Sequence, residues 1–513
     1  MSKYKLATQL PPYLRDIQIE VERVAKESGL DFFPLIFEVV AYDQMNELAA
    51  YGGFPVRYPH WRFGMEYEQL SKSSEYGLSK IYEMVINNNP SIAYLLEGNS
   101  IVDQKLVMTH VYAHVDFFKN NFAFKATNQG VDHRTGTPIR KWIDTMANHG
   151  AIVRRWADRI GIGDVEEFID CCLSLENLID PQKPFQPPPS RKSEAEEAEE
   201  EDAVEVARLR VEHEYMEEYI NPQEFLDRER ERLEAEKAQA KKTPERPERD
   251  VLGFFLEHAP LERWEHDLLA VIRREAYYFW PQMQTKIMNE GWASFWHSKM
   301  MTEHIADDGE IIDYAERNAS VMETGSGRLN PYKLGVELYR HIEERWNRGQ
   351  FGKEWEDCDS LEARRNWDRR TGLGREKIFE VRALYNDVTF IDEFLTPEFV
   401  ADQKLYTFGY NQRNDRFEIE SRKFQQVKEK LLFGLTNAGQ PFIYVQDSNH
   451  GNRGELLLWH DHQGVDLKLD WARDVLRAVE RIWKRPVELH TEIENKPALL
   501  RYDGKEHVQR PLK

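Results

Sequence analysis

Residues 108–121 read MTHVYAHVDFFKNN. Apolar and aromatic side chains recur through this run with no Gly or Pro, which predicts a long helix from Ile101 to Phe124. His110 and His114 lie four apart on it, so both imidazoles project from one face, one turn apart, as a bidentate metal clamp requires. Asn121 falls near the same stripe and is expected to line a pocket beside the pair. Two histidines alone are equally compatible with hydrogen-bonded core residues, so a metal reading needs a third group.

REAYYFWPQMQTKIMNEGWASFWH, residues 274–297, offers one. Glu290, His297 and His304 are spaced by seven and share a face if the segment is one helix. A carboxylate followed by Gly-Trp-Ala resembles the third-ligand helix of gluzincin metallopeptidases, where a Glu on a separate helix completes a His-His-Glu site. Two His and one carboxylate leave a position open for a water that zinc acidifies. The expected ligands are His110, His114 and Glu290, with His297 as an extra ligand or as an orienting group behind one. The expected cofactor is a divalent metal, zinc by donor type. One departure matters: the zincin motif H-E-x-x-H supplies its general base at the position held here by Val111. Glu38, Glu47 and Glu66 stand as candidate bases, unranked.

Working outward, residues 1–183 form a first helical block. Helices are predicted over Tyr13–Gly29, Asp31–Ala50, Trp142–Ala147 and Val165–Leu178 in addition to the histidine helix. An aromatic loop at 54–67 places Trp61 between Arg57 and Arg62, all three expected to line a pocket that receives a carboxylate or phosphate. Residues 184–249 break the pattern, with PFQPPPS followed by an acidic run and by RERERLEAEKAQAKK. Charge on every face and four prolines in seven residues predict a mobile insert, with a short docking segment around Tyr215 to Phe225. Residues 250–375 are a second helical block, expected to pack on the first. Residues 376–513 change period: β-rich runs at 404–410, 417–421, 441–447 and 454–459 and helical runs at 422–433 and 469–484 predict a small α+β domain built as a meander. The His460-Asp461-His462 turn within it is a weak metal signal beside the first. The fold class is mostly α, a gluzincin-like helical body with a smaller C-terminal α+β domain.

Composition bounds the function. The chain has 513 residues, 41% of them hydrophobic, which suits two to four domains with sizeable cores. With 69 basic and 90 acidic residues the net charge is −21, a poor footprint for nucleic acid or an anionic membrane. Three cysteines cannot build a disulfide framework or a zinc-finger spacing. The N-terminal run turns polar and helical at once, and no run of 18 apolar residues occurs, so neither a signal peptide nor a membrane span is expected. The expected compartment is the cytoplasm. No P-loop, Rossmann fingerprint or G-x-S-x-G is present.

The runs FEVVAYDQMNELAAYGGFPVRYPHWRFGMEYE (37–68), HVYAHVDFFKNN (110–121), Asn148-His149-Gly150 and the run at 274–297 closely resemble the stage V sporulation protein R (SpoVR-like) family. The resemblance covers most of the chain apart from the acidic insert. It implies a link to spore cortex formation in spore formers. Elsewhere it implies stationary-phase or stress signalling beside a PrkA-type AAA+ serine kinase and a von Willebrand A-type protein. The resemblance implies no established reaction. Two functions therefore stand side by side: a metal-dependent amide hydrolase acting on a protein or cell-wall-related peptide, and a non-enzymatic adaptor of a kinase complex.

Overall fold

The computed structural model describes residues 10–75, 83–132, 136–186, 243–323, 329–411 and 413–512, together with 222–225, 227, 228 and 232. Most of the 184–249 insert, and Tyr215 to Asn221 of its docking segment, lie outside the described residues. The chain divides into two compact units of interleaved sequence: Met1–Glu166 with Tyr277–Gln440, and Glu167–Ala276 with Pro441–Lys513. The whole is mostly helical, with a sheet domain toward the C-terminus.

The first unit is built around the Ile101–Asn120 helix. Ser100 and Asp103 close a reciprocal capping box at its start, with Asp103 N–H donating to Ser100 Oγ and Ser100 N–H to the Asp103 carboxylate. From Val102 to Phe118 nearly every side chain is buried, as befits a helix surrounded on all faces. A second buried helix, Lys286–Met300, runs against it, and Pro331–Asn347 packs on that one. Their crossing is set by two glycines: a Cβ on Gly291 would stand 2.4 Å from the Gly335 backbone. No other residue fits that approach. The start of the Lys286–Met300 helix is held by Asp387, whose carboxylate accepts from the N–H groups of Ile287 and Met288 at 2.8 Å each.

Residues 31–50, expected as one helix, instead divide into β1 (Leu35–Val40) and a helix over Tyr42–Ala50. Six residues after Pro34, LIFEVV, are β-branched or aromatic at most positions, and a run that short does not reveal its period. With β2 (Glu83–Ile86) and β3 (Ser91–Leu96), β1 makes a three-stranded sheet ordered β1-β3-β2, parallel between β1 and β3. The long helix expected to Phe124 ends at Asn120, and a 3-10 turn carries Phe122–Thr127. A separate hairpin, β4 (Thr407–Asn411) with β5 (Arg416–Ser421), also belongs to this unit.

The second unit carries a five-stranded sheet ordered β10-β9-β8-β7-β6. Its strands are β6 (Phe442–His450), β7 (Glu455–Asp461), β8 (Val487–Ile493), β9 (Lys496–Tyr502) and β10 (His507–Pro511). The expected meander is broken once: β7 and β8 are parallel, and the Leu469–Trp483 helix makes the crossover. Its apolar stripe, Leu476, Val479, Ile482 and Trp483, is buried. Strands β8 to β10 lie beyond the last element read from sequence, although Val487, Leu489 and Thr491 alternate inward as half-buried strands do. Among the described residues no helix is long and apolar enough to cross a membrane.

Candidate metal centre

His110 and His114, one turn apart on the central helix, both direct Nε2 toward the Glu290 carboxylate. Glu290 Oε2 lies 3.5 Å from His110 Nε2 and 3.4 Å from His114 Nε2. Among the described residues this is the one group of three or more His, Cys, Asp or Glu whose ligand atoms all lie within 4.8 Å of one another. Donors bound at about 2.1 Å in tetrahedral geometry stand about 3.4 Å apart, so the spacing fits a small cation between them. Glu290 Oε2 is buried with no hydrogen-bond partner among the described residues. A carboxylate oxygen left in that state is costly, and a cation facing it would remove the cost.

The outer nitrogens of both rings are spoken for, and this sets the tautomers. His114 Nδ1–H donates to Asn289 Oδ1 at 2.9 Å, which leaves Nε2 to face the centre and available to a cation. His297 Nε2–H donates to Asn318 Oδ1 at 3.1 Å, so its Nδ1 accepts from His110 Nδ1–H at 2.8 Å. His110 Nε2 is thereby also left facing inward, available to a cation. His297 thus uses both nitrogens in this chain and stands behind His110. Its pKa is pushed down to about 3, by burial first and by His110 second, which keeps it neutral as the relay requires. Burial alone would raise the Glu290 carboxyl, but His114, His110 and Lys286 outweigh it and hold the group well below the usual carboxylate range. Lys286 Nζ donates to Glu290 Oε1 at 2.5 Å. Phe118 stacks on His114 and Tyr332 on His110.

A buried knot fixes the two ligand helices to each other. Asp116, two residues after His114, accepts from Trp292 Nε1–H at 2.8 Å, and Trp292 follows Glu290 by two. Arg382 Nη1 donates to both Asp116 oxygens at 2.7 Å, and Asp31 N–H adds a fourth bond. Full burial pushes Asp116 up to about 6 despite the Arg382 charge beside it. Trp292 in the Glu-Gly-Trp run is therefore a strut between helices, and the glycine before it permits the Gly335 crossing.

The other residues singled out from the sequence lie elsewhere. His304 falls in a π-helical turn, Met301–Ile305, which ends the seven-residue register, and is exposed beside Glu303. Asn121 is fully buried and lines no opening: it donates to the carbonyls of Arg382 and Tyr385 and accepts from Ala123 N–H, because the helix ends one residue before it. Arg57 is buried, its guanidinium over the rings of Tyr58 and Phe63, and donates to the Tyr51 carbonyl. Trp61, Arg62 and Glu66 begin the Trp61–Glu75 helix and line a surface groove of about 720 Å³. Glu38 sits on β1, where partial burial raises its pKa, and Glu47 on the Tyr42–Ala50 helix. None of these three acids belongs to the His-His-Glu group. Val111 is 0% exposed, packed in the core. His460 bonds Thr491 and His462 bonds Asp466, so that turn is committed within the second unit. Sequence reasoning missed Asn289, Asn318, Lys286, Asp116 and Asp387. Asn289 and Asp116 carried a signal, being polar residues inside otherwise apolar runs next to ligand positions; Asn318 and Asp387 carried none.

Comparison with known proteins agrees over most of the length. A family model described as SpoVR like protein matches residues 9–440. "Uncharacterized protein YcgB" of Escherichia coli (strain K12) is 30% identical over 505 residues, covering 93% of this chain and 91% of that protein. No solved structure matches. The chain belongs to the SpoVR-like family.

Proposed function

We propose that this chain is a cytoplasmic, zincin-like metalloprotein that holds one divalent cation, zinc by its donor set, on His110, His114 and Glu290. It would use the cation to hydrolyse an amide bond in a protein or a cell-wall-related peptide, in sporulation or stationary-phase stress. The observation that carries the reading is the bare Glu290 Oε2, buried between two histidine Nε2 atoms whose opposite ring nitrogens are already hydrogen-bonded. Bound there, the metal would supply an acidified water and polarise a carbonyl. The protein's part would be to orient the imidazoles through Asn289 and the His297–Asn318 relay. Glu38, Glu47 and Glu66 would be its candidate bases, although none belongs to the His-His-Glu group.

A second reading is favoured by Val111: a core valine at the zincin base position removes the group that zincin hydrolysis depends on. In that reading the centre is structural, and the chain is an adaptor for a PrkA-type AAA+ kinase and a von Willebrand A-type protein. Elemental analysis of the purified full chain is the first test, with near one metal per chain expected. His110→Ala, His114→Ala and Glu290→Gln should each release most of it. Retention of metal by all three variants would overturn the site.

A further inference from the structure

Lys286 stands at the edge between the buried centre and solvent. Its side chain is 56% exposed while that of Glu290, four residues on, is 7% exposed. Its Nζ donates to Glu290 Oε1 and lies 5.9 Å from the Tyr332 ring centroid, and that ring stacks on His110 at 6.3 Å. Lys286, Tyr332 and His110 thus form a continuous wall from the surface to the ligands. An ammonium group has three donors, and Glu290 takes one of them.

The charges around this wall do not balance. A cation bound at both Nε2 atoms requires neutral histidines with their protons on Nδ1, the nitrogens that are already hydrogen-bonded. A divalent cation, one carboxylate and one ammonium then leave a surplus of two positive charges in a largely buried space. The other acid acting on Lys286, Asp387, offers it no free oxygen, since both are committed to the N–H groups of Ile287 and Met288, and its negative charge when ionised trims the surplus to one. A surplus of that size, with an open coordination position and free ammonium donors beside it, suits an oxyanion: one oxygen on the metal, another on Lys286.

We infer that the substrate group taken by this centre is an oxyanion, a carboxylate or a phosphate, and that Lys286 is its second anchor. The inference rests on the metal reading above. A simple i, i+4 helix pair with Glu290 is the bland alternative, and such pairs contribute little.

The test uses the full-length protein loaded with cobalt(II) and followed by its visible absorption bands, titrated separately with phosphate and with acetate. The wild type should show saturable band shifts, and the tighter of the two titrations identifies the oxyanion class. Lys286→Met should still take up cobalt when cobalt is in excess, with its own anion-free spectrum shifted by loss of the Glu290 Oε1 bond, while anion affinity read against that spectrum falls roughly tenfold or more. Lys286→Arg should restore most of that loss, which a purely structural role for the side chain would not produce. Equal affinity in wild type and Lys286→Met, or no band shift with either anion, overturns the inference while the metal site stands. Failure of the wild type to take up cobalt overturns the metal reading itself, and this inference with it.

Discussion

Asn289 decides which nitrogen of His114 faces Glu290, because its side-chain oxygen captures the Nδ1 proton. Without that acceptor the imidazole is free to turn or to change tautomer. Asn289→Leu is therefore expected to lower metal affinity by roughly 10–100-fold with little change in fold. Competition against a chromogenic chelator measures it, and unchanged affinity would show that Phe118 stacking alone holds the ring. His297→Ala should act in the same range through His110. The i, i+4 spacing made it legible that two histidines share one helix face. What it could not give is the layer behind them: Asn318 meets His297 through tertiary packing, with no pattern in the sequence around either to announce it.

At the scale of elements, the Lys286–Met300 helix is fixed at its start by Asp387 and at its middle by Gly291. Asp387→Ala would leave two buried N–H groups unbonded and should cost about 1–3 kcal/mol in denaturant unfolding. Burial pushes the Asp387 carboxyl up to about 7, against roughly 3.9 for an unfolded Asp. The folded state thus holds the proton more tightly than the unfolded one. The stability contributed by this group is full below about pH 4 and is lost as pH rises through 7. Wild type should accordingly lose stability relative to the neutral Asp387→Asn variant between pH 5 and pH 8. A gap that moves the other way would show that the carboxylate caps the helix as a charge. Gly291→Ala drives a methyl into the Gly335 backbone, so overpacking of about 1–3 kcal/mol or more is expected, together with weaker metal binding at the adjacent Glu290. An unshifted melting temperature would mean the two helices part freely. The elements easiest to read were the long ones whose caps are written locally, such as Ser100 with Asp103. Leu35–Val40 was misread because a six-residue apolar run carries strand and helix equally well until its neighbour β3 is known.

For the whole molecule, the interleaved units mean that block boundaries cannot be read off composition alone: the β4–β5 hairpin lies only one α-helix before the C-terminal sheet in sequence yet belongs to the first unit. The insert is the easier prediction. Residues 187–221 lack the apolar periodicity that would offset the entropy of ordering them. Replacing them with a Gly/Ser linker of equal length should leave the melting temperature within a few degrees. Residues 243–250 must be kept, since Glu248 pairs with Val445 and Asp250 caps the Val251–His258 helix. A collapse of the fold on replacing 187–221 would show that the segment contributes to the core.

The chain order of the centre also sets a clock. Asn289 follows its partner His114 by 175 residues, and the whole second-unit segment Glu167–Ala276 is made in between. At about 5–20 residues per second, the ribosome needs roughly 9–35 s to bridge that gap. For all that time the central helix, buried on nearly every side in the finished fold, waits without the Lys286–Met300 helix that packs on it. The three-ligand set cannot be complete before Glu290 and its helix have left the exit tunnel. In a cell, loading this centre awaits synthesis past Glu290, and a nascent chain cut short before it carries the two histidines without their carboxylate.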